Sequence, residues 1–376
     1  MQYYLRQFIK QIYLISRYIF LLPFLLFRKT ILPEAENIKK ILVLRYDRIG
    51  DMVLSTGAFK ALRQKFPAAF ITVLASERNK ELIENDPHID EILVYRGRRW
   101  FLKELKPRRI DLGIDLFHTY ELGSALLAYL SGIRYRLGFE IWGRQVFFNV
   151  RGPDMSGNYT MSQHTLRLLS CLGIDTKDYP PQLYLLDKEM DWAKGFLSSL
   201  RISRQDLKVA IHPGGFYPSQ RWSVDGFAGV GKKIIEKFGI NIVLLGDKSE
   251  EGLLKEIKQK INTDKVFILC ELSLRQIISV LNECNLLICN NSGILHIACA
   301  LNVPTISTMG PTDPVLWWPQ GDNHVVLKKE LACRPCNRAI CGKHTCLDLI
   351  TVEDVLGAVE VQLDRIKKRQ DAAKVF

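Results

Sequence analysis

Short apolar runs of strand length recur along this chain, most of them separated by an amphipathic segment of helix length. Ile41-Leu-Val-Leu44, Phe70-Ile-Thr-Val-Leu74, Glu91-Ile-Leu-Val-Tyr95 and Asp111-Leu-Gly-Ile-Asp-Leu-Phe117 form a first series. After a proline-marked stretch at Asp178-Tyr-Pro-Pro181 the rhythm restarts with Lys208–His212, Asn241–Leu245, Val266–Leu269, Leu286–Cys289 and Thr305–Thr308, and Val224–Phe238 is one of the intervening helices. Continuous apolar runs of this length fit strands buried on both faces of a parallel sheet, with the helices as crossovers. The pattern predicts two α/β halves of similar size joined near residues 175–205. They are not recognisable repeats of each other. A last helical segment, Val352–Arg369, could pack back across the first half.

With 47% hydrophobic and 24% charged residues, the chain is neither disordered, nor collagen-like, nor a polytopic membrane protein. Its 52 Lys and Arg against 40 Asp and Glu leave a net charge of +12, which favours an anionic partner: nucleic acid, an acidic membrane surface or a phosphorylated substrate. No recognised nucleic-acid motif occurs, so nucleic acid is not expected as a partner. The nine cysteines do not read as a secreted disulfide scaffold, because the chain is long, their number is odd and five of them are dispersed. Cys171, Cys270, Cys284, Cys289 and Cys299 read as reduced thiols among apolar neighbours. Cys333, Cys336, Cys341 and Cys346, with His344 nearby, have spacing that could hold a structural tetrahedral zinc, or are reduced thiols of an ordered loop.

Residues 1–30 combine Tyr, Phe, Leu and Ile with Arg6, Lys10, Arg17, Arg28 and Lys29. The longest uncharged run, Tyr18–Phe27, contains Pro23 and falls short of the roughly 20 apolar residues that a spanning helix needs. No small-residue cleavage site follows it, which argues against a secretory signal. The composition fits an amphipathic segment lying on an anionic cytoplasmic leaflet. The alternative is a helix packed on the protein's own surface.

Ligands of open α/β sheets bind at the carboxyl ends of the strands. No glycine-rich dinucleotide fingerprint follows the first strand and no P-loop occurs anywhere, so a dehydrogenase or a P-loop NTPase is not expected. Arg45-Tyr-Asp-Arg-Ile-Gly-Asp51 stands there instead. Asp51 could be the N-cap of the next helix or a general base projecting into a cleft. Asn290-Asn-Ser-Gly-Ile-Leu-His296 places Ser292 and Gly293 at a helix start, a natural phosphate site; His296 in its first turn could be structural or a ligand contact. His212-Pro-Gly-Gly215, running on to Ser219-Gln-Arg-Trp222, and Met309-Gly-Pro-Thr-Asp-Pro314 are two further loops after strands. Three such loops in one half suggest a pocket for a nucleoside diphosphate.

Taken in order, ILVLRYDRIGDMVLSTGAFKALRQKFP, HPGGFYPSQRW, NNSGILHIACALNVPTISTMGPTDP and the cysteine-bearing CRPC resemble glycosyltransferase family 9, the lipopolysaccharide heptosyltransferase family, over about residues 40–350. The resemblance implies a GT-B fold: two Rossmann-like α/β domains facing across a cleft, here with an N-terminal amphipathic extension. The expected boundaries are 1–38 for the membrane-associating segment, 39–185 for an acceptor-binding domain, 186–350 for a nucleotide-sugar-binding domain and 351–376 for a C-terminal helix. It also implies an inverting, metal-independent transfer of a sugar from a donor such as ADP-heptose to a lipopolysaccharide core or related anionic glycolipid, without a cofactor. Asp51 corresponds to the family's catalytic base. The donor set is Gly214, Gln220, Arg221, Asn291, Ser292, Gly293, His296, Gly310, Pro311 and Thr312, and Arg45, Arg48, Arg78 and the Arg96–Arg99 cluster are candidates for the acceptor. Three positions depart from the family pattern: Gln220 where lysine is frequent, Asn291 where aspartate is common, and Gly57 where proline is usual. The rival readings are a nucleotide-sugar epimerase or hydrolase on the same fold, and a non-enzymatic module for anionic ligands.

Overall fold

The computed structural model describes residues 2–175, 177 and 179–373, apart from the side chains of 2–7, 370, 372 and 373. Arg6 as a side chain and Asp178, both singled out above, therefore lie outside the described residues, as does the end of the chain from 374. Two compact units are present, Met1–Pro181 and Gln182–Phe376.

In the first unit, β1 (Lys40–Leu44), β2 (Phe70–Ala75), β3 (Glu91–Val94), β4 (Leu112–Asp115) and β5 (Tyr135–Gly138) form one sheet in the order β3-β2-β1-β4-β5. Every pairing is parallel, with Ile41 opposite Ile71 on one side and Leu112 on the other. The helices are α1 (Gln2–Leu26), α2 (Ile49–Val53), α3 (Thr56–Lys65), α4 (Arg98–Leu105), α5 (Gly123–Leu130) and α6 (Met161–Ser170). Ile41 to Leu44 are fully buried, as a central strand covered on both faces must be. Leu42 and Leu44 pack with Phe101 and Leu105 of α4 and with Leu127 and Ala128 of α5.

The second unit repeats the plan. Strands β6 (Lys208–His212), β7 (Asn241–Leu245), β8 (Val266–Leu269), β9 (Leu286–Asn290), β10 (Thr305–Thr308) and β11 (His324–Leu327) form a parallel sheet in the order β11-β10-β9-β6-β7-β8. Its helices are α7 (Asp187–Ser199), α8 (Val224–Phe238), α9 (Glu251–Ile261), α10 (Leu274–Asn282), α11 (Gly293–Ala300), α12 (Thr345–Asp348) and α13 (Val352–Ala373). The sequence pattern left it open that α13 packs back across the first half. Its apolar stripe, Val355, Val359, Leu363 and Ile366, belongs to the core of the second unit. Each sheet reverses its strand order once, between β1 and β4 and between β6 and β9, and ligands of such sheets bind beside that reversal.

α1 is turned against the usual pattern of a surface helix. The positions facing the first unit are Lys10, Leu14, Arg17, Leu21 and Leu25, at spacings of three and four, followed by Arg28 just beyond the helix; Leu14 is buried and the others are partly covered. The outward face carries Phe8, Ile9, Ile12, Ile15, Ile19, Phe20, Leu22 and Phe24, all exposed. Three of the cations assigned above to an anionic leaflet thus point into the protein, where the Tyr120 ring meets Lys10, the Trp142 carbonyl accepts from Arg17, and Glu140 with two carbonyls accepts from Arg28. Phe8–Leu26 is long and apolar enough to cross a membrane by length and composition alone.

Candidate active site

The first unit builds its pocket at the β1/β4 reversal. A cavity of about 490 Å³ is lined by Asp47, Arg48 and Asp51 from the loop and helix after β1, by Phe117 to Glu121 after β4, and by Ile141 and Trp142. A smaller cavity of about 200 Å³ shares Phe117, Thr119 and Glu121 with it and adds Arg98 and the stacked rings of Tyr46 and Tyr95.

Asp51 is the third residue of α2, and Arg48 holds the extended backbone of the N-cap. The capping reading of Asp51 therefore falls. Its carboxylate is buried, and Oδ1 has no hydrogen-bond partner. Burial raises its pKa, and the cations Arg45 and Arg48 pull in the opposite direction. Burial likewise raises Asp47, against Arg45. His118 goes the other way, pushed down to about 3 by burial and then by Arg45, so it is a neutral imidazole at physiological pH. Its Nε2 lies 3.8 Å from Asp51 Oδ1.

The surroundings hold this geometry. Arg45, expected at the acceptor surface, is completely buried; Nε donates to Ser55 Oγ at 3.0 Å and Nη1 to Asp47 at 3.1 Å. It is a scaffold and a source of positive potential, because a cation following directly on a central strand has nowhere exposed to go. Arg48 does line the pocket, whereas Arg78 stands exposed in the turn after β2 and lines neither cavity. Asp115 is buried, accepts from Arg144 Nη2 at 2.6 Å and from Ser124 Oγ at 2.7 Å, and leaves no oxygen for proton abstraction. Arg144 also donates to the carbonyls of Phe117 and Thr119, shaping the wall that carries His118.

In the second unit, Asn290 and Asn291 tie three loops together at the β6/β9 reversal. Asn290 Nδ2 donates to the carbonyls of Pro213 and Gly214 at 2.8 and 2.9 Å. Asn290 Oδ1 accepts from the Trp222 backbone at 2.9 Å and from Thr308 Oγ1 at 2.8 Å. Asn291 Nδ2 donates to Thr312 Oγ1 at 2.8 Å. The donor-loop residues read from sequence thus converge on one region of this unit. At the start of α11 the buried hydroxyl of Ser292 has no partner, an arrangement suited to an anion at a helix N-terminus. His296 is buried on the same helix beside Trp317, its pKa pushed down to about 4 mainly by burial. It is neutral there and adds no charge. Arg221 donates through Nε and Nη2 to the Gly215 carbonyl at 2.9 and 2.7 Å, and Gln220 Oε1 accepts from the Tyr217 backbone. The carbonyls of Gly310 and Pro311 are held from the cysteine-bearing loop, by Arg334 Nε at 2.6 Å and by the backbone of Cys336 and Asn337. Glu250, after β7, was missed by the sequence reading: a side chain on Gly214 would run into Glu250 Oε1 and His212.

The family model of glycosyltransferase family 9 (heptosyltransferase) matches residues 98–346. This chain belongs to that family. As a family 9 glycosyltransferase it is 27% identical over 297 residues to lipopolysaccharide heptosyltransferase 2 of Escherichia coli K12, covering 73% of this chain and 84% of the relative. It is 23% identical over 314 residues to lipooligosaccharide heptosyltransferase 2 of Haemophilus ducreyi, covering 77% and 88%. Among solved structures, a family 9 glycosyltransferase from Veillonella parvula superposes with a TM-score of 0.75 at 24% identity, covering 87% of this chain and 97% of that one. E. coli ADP-heptose LPS heptosyltransferase II superposes with a TM-score of 0.71 at 24% identity, covering 88% and 99%. The α/β fold is thus of the GT-B type, and the readings as an epimerase, a hydrolase or a non-enzymatic module are set aside.

The zinc expectation for this glycosyltransferase finds no support in the cysteine loop. Its four cysteines are free thiols ranging from exposed Cys333 to buried Cys346, which packs in the core of the second unit. Among the described residues no group of three or more His, Cys, Asp or Glu is placed to hold a metal ion. Of the five dispersed cysteines, Cys284 and Cys289 are buried and the other three half-buried, all of them free.

Proposed function

We propose that this glycosyltransferase moves a heptose from a nucleoside-diphosphate donor such as ADP-heptose to a lipopolysaccharide core or related surface-glycan acceptor, inverting the anomeric carbon without a catalytic metal. The observation that carries the reading is the buried, unpartnered carboxylate oxygen of Asp51 in a cavity large enough for a sugar. The first unit binds the acceptor and the second the donor. Asp51 removes the proton from the acceptor hydroxyl as that oxygen attacks the anomeric carbon, and the bond from that carbon to the diphosphate oxygen breaks. Arg48 and the smaller cavity's Arg98 face the anionic acceptor. On the donor side, the NH groups at the start of α11, Ser292 and Arg221 stabilise the departing diphosphate electrostatically. The sequence has no D-x-D acidic pair at a donor loop, which favours this metal-free route.

The heptosyltransferase names of the relatives support the sugar and the acceptor class. The enzyme works at the cytoplasmic face of the membrane, where a lipid-linked acceptor is available. The test is release of nucleoside diphosphate from a panel of nucleotide sugars, with and without a heptose- or Kdo-bearing acceptor. Release that depends on both an ADP-heptose donor and the acceptor is expected. Acceptor-independent release, or turnover only with another sugar, overturns the proposal.

A further inference from the structure

α1 is apolar toward solvent and cationic toward the protein, the reverse of what water selects for a surface helix. Its inward contacts fall on one place. Lys10 Nζ sits 4.0 Å from the centre of the Tyr120 ring. Arg17 Nη2 donates to the Trp142 carbonyl at 2.6 Å. Leu21 fills the space beside Gly143, where a side chain would lie 2.8 Å from its Cδ1. Arg28 pairs with Glu140 at 2.7 Å and donates to the carbonyls of Phe148 and Val150, and Ile31 N donates to Asn149 O. Tyr120 and Trp142 are walls of the cavity that holds Asp51.

A helix that only tethers needs no such clamp, and a spanning helix cannot have one. From Lys10 to Leu25 is roughly 22 Å of helix, and along it Lys10, Arg17 and Leu21 meet Tyr120, the Trp142 carbonyl and Gly143 of the first unit, with the Arg28 contacts just beyond. Burying those charged contacts in hydrocarbon would be costly. The arrangement suits a helix lying in the plane of a leaflet with the unit seated on its inner side. The apolar exposure also continues beyond α1. Trp142 is 39% exposed, and Leu126, Tyr129 and Leu130 of α5 are 37%, 51% and 50% exposed, while Tyr129 packs against Phe147 of the clamped segment. Exposed Lys29 and Arg134 remain for anionic headgroups.

We infer that α1, the Trp142 rim of the Asp51 pocket and the outer face of α5 form one membrane-binding surface, whose partner is an anionic lipid leaflet. The clamp then fixes the mouth of the pocket at headgroup depth. Only the catalytic consequence, delivery of a glycolipid to Asp51, rests on the function proposed above.

The test uses the full chain and vesicles of phosphatidylethanolamine and phosphatidylglycerol, with phosphatidylcholine vesicles as the neutral control. α1 contains no tryptophan, so vesicles with brominated acyl chains report on the body of the protein. Quenching is expected to be clearly greater for the wild type than for Trp142→Phe. Equal quenching of the two would reduce α1 to a tether and overturn the inference. Replacing exposed Ile12, Ile19 and Phe20 together by serine should weaken vesicle binding at least about a hundredfold. Unchanged binding of that variant, or equal binding of the wild type to neutral vesicles, would also overturn it. Neither measurement uses turnover, so a failure of the sugar-transfer assay would count against the proposed function alone.

Discussion

Nε2 of His118 stands 3.8 Å from Oδ1 of Asp51, too far for a direct hydrogen bond and close enough for one oxygen atom to touch both. Burial separates the two groups electrically, raising Asp51 and holding His118 neutral. With the ring held neutral, the two side chains do not form an ion pair. In the mechanism proposed above, Asp51 is the proton acceptor and the neutral ring lies within reach of the same hydroxyl.

Asp51→Asn should fold and bind donor normally while turnover falls by roughly a hundredfold or more, the usual cost of a lost general base. The helix start is unaffected because Arg48, not Asp51, occupies the N-cap. Circular dichroism and donor titration check the first half, steady-state kinetics the second. Near-normal turnover in a folded variant would remove Asp51 from the mechanism.

The pH profile follows from the same carboxylate. A general base works deprotonated, so with Asp51 in the proposed role turnover should be lost as pH falls through its raised pKa and be flat above it. Arg48 is one of the two cations opposing that rise. Arg48→Gln should move the acidic limb of kcat to higher pH, so activity is lost first at the acid end. A limb that stays in place would mean that the profile reports some other group.

Asp115 tests the boundary between scaffold and chemistry. It faces Arg144 inside the protein with both side chains almost wholly buried. Removing one partner of such a pair typically costs about 3–5 kcal/mol. Asp115→Asn should therefore lower stability by that order in urea unfolding. Donor-side binding in the second unit should be unchanged.

Much of this was legible in the chain because continuous apolar runs such as Ile41–Leu44 identify central parallel strands whatever surrounds them. β5 and β11 were not: Tyr135-Arg-Leu-Gly alternates with a cation and a glycine, and His324–Leu327 offers only three apolar residues before two lysines. The loops around Asn290 and Asn291 are legible because they directly follow strands, whereas Glu250 carries no motif and shows its place only where it packs against Gly214. Arg45 looked like a surface cation, and only packing against Ser55 and Asp47 reveals it as buried. The direction in which α1 turns its cations was likewise invisible, since periodicity marks a stripe without saying which side meets the protein.

Asn291 departs from the aspartate common at its position, and its geometry says what the amide is for. Nδ2 donates to Thr312 Oγ1 at 2.8 Å, joining the helix-start loop to the loop after β10. An aspartate could keep this link only by reversing it, with the threonine hydroxyl as donor. The amide also leaves no negative charge beside Ser292, where the proposed mechanism places the diphosphate. Asn291→Ala removes the link and should raise the donor KM about five- to tenfold with kcat little changed, the scale of one neutral hydrogen bond. Thr312→Val should do the same. If the bond is the cause, the double variant will match either single one, because both remove the same interaction. Multiplying effects would show that Asn291 and Thr312 act on the donor independently. Asn291→Asp should weaken donor binding further than alanine does, since it sets a carboxylate against the diphosphate, and a KM at or below that of the alanine variant would locate the diphosphate elsewhere.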